Sequence, residues 1–153
     1  MTRRALILLA AGGSLAMLLG AWGFQYIAGL APCAMCYWQR WPHMAAVAIG
    51  ALGLAAPAAA LTLAGALSAL TTAGIGLYHT GVERTWWAGP STCTSGDISG
   101  LSTQDLMDQI LAAPLVRCDE VAWAFAGLSM ASWNAVISLG LAAVWLMAWR
   151  AVR

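Results

Sequence analysis

The feature that most limits this chain is a set of long stretches without a single charge. None occurs between Ala5 and Gly23, between Met44 and Tyr78, or between Met130 and Trp149. A helix needs roughly 20 apolar residues to cross the hydrocarbon core of a bilayer. The middle stretch is too long for one straight crossing, and Pro57 near its centre reads as a tight turn between two antiparallel helices, with a single kinked helix as the alternative. Four membrane spans are therefore expected, at residues 5–23, 44–56, 58–78 and 130–149. Composition agrees. Hydrophobic residues make up 61% of the 153 and charged residues 8%, against roughly 25% charged in a soluble domain. A chain this small cannot hide so much apolar surface in a water-soluble fold. The net charge of +1 leaves no basic cluster for phosphates, so no nucleic-acid partner is expected.

Arginine sets the orientation. Arg3 and Arg4 flank the first span, and Arg150 and Arg153 follow the last. An even number of spans puts both termini on one side, and the positive-inside rule makes that side cytoplasmic. A secretory signal is the other use of a first span behind Arg3-Arg4, but no clear Ala-x-Ala site follows it. Residues 24–43 and 79–129 then form two outer loops, and the second carries all six acidic residues. Tryptophans are expected as interfacial belts: Trp22, Trp38, Trp41, Trp86, Trp87, Trp123 and Trp133 outside, Trp145 and Trp149 inside. Within the long loop, Ser102 reads as a helix N-cap with Asp105 at the third position. Leu106, Met107, Ile110 and Leu111 share one face of that helix, and Pro114 stops it. A short amphipathic helix along the membrane surface is expected there. The fold class is thus an all-α membrane protein, one antiparallel four-helix bundle with a short amphipathic helix in the second outer loop, spanning residues 1–153 as a single domain. The Ala/Leu/Gly bias suits close helix packing in lipid.

All four cysteines fall on the outer side, where disulfides form. Four cysteines allow three pairings, of which Cys33–Cys36 with Cys93–Cys118 is the simplest. Cys33-Ala-Met-Cys36 closes too small a ring to be a good staple. Cys36 opens a helix, where unpaired backbone N–H groups and the helix dipole lower a thiol's pKa, and Arg40 stands one turn on. That placement favours thiol–disulfide exchange. For Cys93 and Cys118, stapling and redox use fit the spacing equally. Their polar flanks suggest an accessible disulfide, with Arg117 favouring a Cys118 thiolate and Asp119 and Glu120 opposing it. Zinc on the cysteines with His43 or His79 is the competing use. The second pair lacks close ligand spacing and the compartment is oxidising, so no metal is expected.

The stretch Pro32-Cys33-Ala34-Met35-Cys36-Tyr37-Trp38-Gln39-Arg40 resembles the DsbB family of bacterial inner-membrane thiol oxidases. Tyr78-His79-Thr80-Gly81-Val82-Glu83 followed by Trp86-Trp87 and Cys93, and Cys118 followed by Trp123 to Met130, extend the resemblance over nearly the whole chain. It implies an enzyme that reoxidises a periplasmic thioredoxin-like dithiol protein of the DsbA type. The electrons go to the membrane quinone pool, ubiquinone or menaquinone. It also implies roles. Cys93 forms the mixed disulfide with the partner, Cys118 relays electrons to Cys33–Cys36, and Cys36 is the thiolate facing the quinone. Arg40 and His79 join Cys36 in the quinone site. A dedicated paralogue of the DsbI kind fits the same residues. Two other readings compete: a non-catalytic bundle whose disulfides only staple its loops, and a relative of the vitamin K epoxide reductases. In that family Cys-x-x-Cys comes after the loop cysteines, whereas here it comes first.

Overall fold

The computed structural model describes residues 1–56, 58–91, 93–94, 102–112 and 116–151. The expected turn at Pro57 and stop at Pro114 lie outside them. Four long helices dominate: α1 (Arg3–Tyr26), α2 (Ala34–Ala55), α3 (Ala59–Glu83) and, at the end of the chain, α5 (Met130–Arg150). Of these, α1, α3 and α5 are long and apolar enough to cross a membrane. The helix α2 starts well before the expected span at residue 44 and runs through Arg40, Trp41, Pro42 and His43. Pro42 removes one backbone donor from the helix interior, yet the helix continues, as neighbouring helices in a membrane allow.

These four helices pack in a ring. Helix α3 lies against α5 and α2, and α1 closes the ring against the same two. Small residues set the spacing. A Cβ on Gly65 would fall 2.5 Å from the Trp145 ring, and one on Gly50 would fall 2.3 Å from the Cβ of Ala11. Trp145 is therefore not the interfacial anchor expected of it. It is fully buried, packed with Leu6, Ile7, Ala10, Ala66 and Ala69. Its indole fills the space that the glycine opposite leaves, which a helical wheel of α5 alone does not reveal.

Outside the ring, α4 (Thr103–Ala112) forms where the cap signal placed it. The Ser102 hydroxyl accepts the Asp105 N–H at 3.2 Å and donates to the Asp105 carboxylate at 2.6 Å. The side chains of Leu106 and Ile110, half of the expected apolar face, lie outside the described residues. Met107 and Leu111 are exposed. A short hairpin, β1 (Ala124–Phe125) and β2 (Leu128–Ser129), leads into α5. Its two turn residues, Ala126 and Gly127, both have positive φ, 51° and 78°, the geometry whose twist matches a two-residue hairpin. The hairpin seats Ser129 as the N-cap of α5, accepting the Ser132 N–H at 3.2 Å.

Candidate functional site

The site gathers at one end of the ring, where the start of α2 meets the end of α3 and the loop before α5. Cys33 is the N-cap of α2. Its Sγ accepts the Cys36 N–H at 3.3 Å. This turn places the Sγ atoms of Cys33 and Cys36 2.8 Å apart, unbridged. A disulfide needs about 2.0 Å, so the two sulfurs stand within about 1 Å of bonding distance. Both thiols precede the apolar part of α2. Hydrogen bonding to Cys36 and burial push the Cys33 thiol above the ordinary range. The Cys33 thiol pulls Cys36 below it, with help from the helix backbone and Arg40, against a cost from burial. Of the two, Cys36 is the easier to ionise.

Cys93 and Cys118 form a disulfide. The Cys118 N–H donates to the Cys93 carbonyl at 2.7 Å, which ties the two strands of loop together beside the bond. The expectation of an accessible disulfide fails. Cys93 is 1% exposed and Cys118 0%, both packed with Cys33, Met35 and Val82. Ser91 and Glu120 reach solvent while the two cysteines are buried against an apolar patch made by α2 and α3. Arg117 turns to its acidic neighbours. Its guanidinium forms a two-pronged pair with Asp119, at 3.0 and 2.6 Å, and reaches Glu120 at 3.3 Å. The Asp119 carboxyl is held below its usual range by that pairing.

His79, near the end of α3, joins the two cysteine pairs. Its Nε2 lies 3.7 Å from Cys33 Sγ and 3.1 Å from the Cys118 carbonyl oxygen. A carbonyl only accepts, so Nε2 carries the proton, and Nδ1 accepts from the Gln39 amide at 2.9 Å. The same amide donates to the Met35 carbonyl at 3.1 Å. Cys33 Sγ, the cysteine sulfur of Cys118 and a His79 ring nitrogen all lie within 4.8 Å of one another. The loop disulfide and the Cys-x-x-Cys pair, far apart in the chain, thus meet across one imidazole.

Beside this cluster lies a cavity of about 440 Å³, within the roughly 300–1,000 Å³ of small-molecule sites. Leu18, Phe24, Trp133 and Ile137 give it apolar walls, and Cys36 and Arg40 stand together on it. Arg40 donates to Gln25 at 2.6 Å and to the Ala21 carbonyl at 3.4 Å, and sits 5.0 Å over the Tyr37 ring. No carboxylate pairs with it among the described residues, so its charge is available to the cavity. Glu83 also lines the cavity and accepts a hydrogen bond from Ser129. A largely apolar small molecule suits these walls, with the Arg40 cation and the Cys36 sulfur at their edge.

Every cysteine named from the sequence, with Arg40 and His79, therefore falls in or against one region. Sequence reasoning passed over Gln39, which orients His79, and Asn134, which accepts from His43 at 2.9 Å and donates to Thr72 at 3.1 and 3.2 Å. The signal was present: each is an uncharged amide in an apolar helix, where polar side chains seek partners inside the protein.

Comparison with known proteins follows the geometry. Residues 3–148 match the family described as "Disulfide bond formation protein DsbB". A protein of Albidiferax ferrireducens named "Disulfide bond formation protein B" is 30% identical over 150 residues, covering 86% of this chain and 82% of that one. Proteins of the same name from Aeromonas salmonicida and Pasteurella multocida are 31% and 32% identical, covering 84% and 74% of this chain and 78% and 67% of theirs. No solved structure matches the chain.

Proposed function

This chain belongs to the DsbB family of membrane proteins of disulfide bond formation, and on that premise we propose that it is a quinone-dependent thiol oxidase of the bacterial inner membrane. It reoxidises a periplasmic, DsbA-type thioredoxin-fold protein. The four long helices form one antiparallel four-span bundle over residues 1–153, with both termini cytoplasmic, the cysteines periplasmic and α4 along the membrane surface. The ring of helices and the arginines at both ends of the chain support that arrangement. The observation that carries the function is the meeting of Cys33, His79 and the Cys93–Cys118 disulfide beside a cavity that holds Cys36 and Arg40.

The electrons move by thiolate attack on disulfide sulfur. The partner's thiolate attacks Cys93, its bond to Cys118 breaks, and Cys118 leaves as a thiolate. The partner's second thiol displaces Cys93, which completes the partner's disulfide. Cys118 attacks Cys33 of an oxidised Cys33–Cys36 pair and expels Cys36 as a thiolate. Cys93 then displaces Cys33 from Cys118, which restores the loop disulfide and leaves two electrons on the Cys33–Cys36 dithiol. A quinone bound in the cavity supplies a sink for two electrons and two protons. Arg40 and the start of α2 keep Cys36 ionised against that sink, and His79 holds Cys118 and Cys33 in register. Burial of the loop disulfide adds one requirement. The loop must open for the partner to reach Cys93, so partner binding and exchange are coupled.

The test uses the full-length protein in detergent with a reduced dithiol thioredoxin-fold protein and a soluble quinone. The expected result is one quinone consumed for each partner disulfide formed, abolished by Cys93→Ser. Partner oxidation that proceeds without quinone consumption would overturn the reading.

A further inference from the structure

The cluster that joins the two cysteine pairs has a second chemical capacity. Cys33 Sγ, the Cys118 sulfur and a His79 ring nitrogen lie within 4.8 Å of one another, and all three residues are buried. A tetrahedral zinc ion with bonds of about 2.3 Å to sulfur and about 2.0 Å to nitrogen sets its ligands roughly 3.5–3.8 Å apart. Cys33 Sγ and His79 Nε2 already stand 3.7 Å apart. The Cys118 sulfur is tied to Cys93, so the third corner of the triangle becomes a ligand only when that bond is reduced. Charge also balances. Two thiolates and a neutral imidazole neutralise a dication, which a buried site requires. A water takes the fourth position, since Cys36, 2.8 Å from Cys33, would add a third thiolate and leave the site with a net negative charge.

We propose that the fully reduced protein binds one soft divalent cation of the zinc class through Cys33, His79 and Cys118, and that the ion holds the protein reduced. Binding displaces the two thiol protons and changes no oxidation state. His79 must ligate through Nε2, so its proton moves to Nδ1. The Gln39 amide, now donating to that nitrogen at 2.9 Å, turns over and presents its oxygen, giving up its bond to the Met35 carbonyl for the usual support of a metal-bound imidazole. The oxidised protein lacks two of the three ligands and is blind to the metal. The ion sits where Cys118 and Cys33 must exchange, so it blocks the relay at its midpoint.

The test titrates Co²⁺, and then Zn²⁺ in competition, into the full-length protein in detergent, reduced and desalted without oxygen. No electron acceptor is present, so the outcome is separable from that of the quinone reading. Thiolate-to-cobalt absorption reaching one ion per chain is expected in the reduced protein and absent in the oxidised one. His79→Ala and Cys118→Ser should each weaken binding by about tenfold or more. Cys93→Ser should bind as the wild type does, which also shows that loss of the loop disulfide leaves the site standing. No binding by the reduced wild type overturns the proposal. So does binding indifferent to His79→Ala and Cys118→Ser, which would put the ion on the Cys-x-x-Cys pair alone.

Discussion

The Cys33 sulfur meets two partners at once: Cys36 Sγ at 2.8 Å along its own helix turn, and the N–H of His79 Nε2 at 3.7 Å across the helix interface. That double contact makes Cys33 the junction between the cysteine pair at the start of α2 and the loop disulfide behind His79.

A junction of this kind should be trappable. In a Cys36→Ser, Cys93→Ser double variant, Cys33 and Cys118 have lost their own partners and face each other within 4.8 Å. Mild oxidation should join them in high yield, read by mass spectrometry of the digested protein. A product dominated by intermolecular dimers would separate the two cysteines in the folded state.

Arg40 should act on the acceptor and leave the partner side alone. It has no carboxylate partner among the described residues and lines the cavity with Cys36. A charge-assisted hydrogen bond is worth about 1.5–3 kcal/mol, so Arg40→Leu should raise the KM for a soluble quinone roughly tenfold or more. Steady-state kinetics should show the KM for the dithiol partner unchanged, and Arg40→Lys should recover only part of the loss.

The thiol pair should show a pH signature. Cys36 is pulled below the ordinary thiol range by Cys33, so its thiolate persists as pH falls below about 8.5, where a free cysteine would protonate. By linkage, a depressed thiol stabilises the reduced fold above its unfolded pKa, and loses that contribution as pH drops through the folded one. Alkylation rates in the reduced protein should show Cys36 reacting at neutral pH while Cys33, pushed up, does not. Cys33→Ser should move the Cys36 profile toward higher pH.

The buried amide at Asn134 should be structural. It accepts from His43 and donates to Thr72, which in turn donates to the Gln39 carbonyl at 3.0 Å. Asn134→Leu strands those groups, at about 1–3 kcal/mol for a buried unsatisfied partner. Denaturant unfolding in detergent measures this, and Asn134→Ala should cost a similar amount because the same partners are left.

What was legible in the sequence is what local chemistry decides. Charge-free stretches mark α1, α3 and α5. Ser102 and Asp105 mark the start of α4. Cys33 and Cys36 declare a helix-opening thiol pair with Arg40 one turn on. What was not legible depends on contacts between distant segments. Polar flanks around Cys93 and Cys118 suggest exposure, but α2 and α3 supply an apolar patch that draws the sulfurs inside. A tryptophan near a span end suggests an interfacial anchor, but Gly65 on another helix opens room for Trp145 in the core. Gln39 looks like one polar residue among many near a helix start until His79 arrives from α3. The positive φ of Ala126 is hidden because alanine gives no turn signal, and only Gly127 hints at the hairpin.

The most direct measurement counts free thiols in the fully reduced protein in detergent after addition of a soluble quinone, with and without Cys36→Ser. The account predicts loss of two thiols for each quinone consumed in the wild type, and no quinone-dependent loss in the variant. A wild type that keeps all its thiols in the presence of quinone would contradict it, and would leave the cysteines as structural links in a membrane bundle.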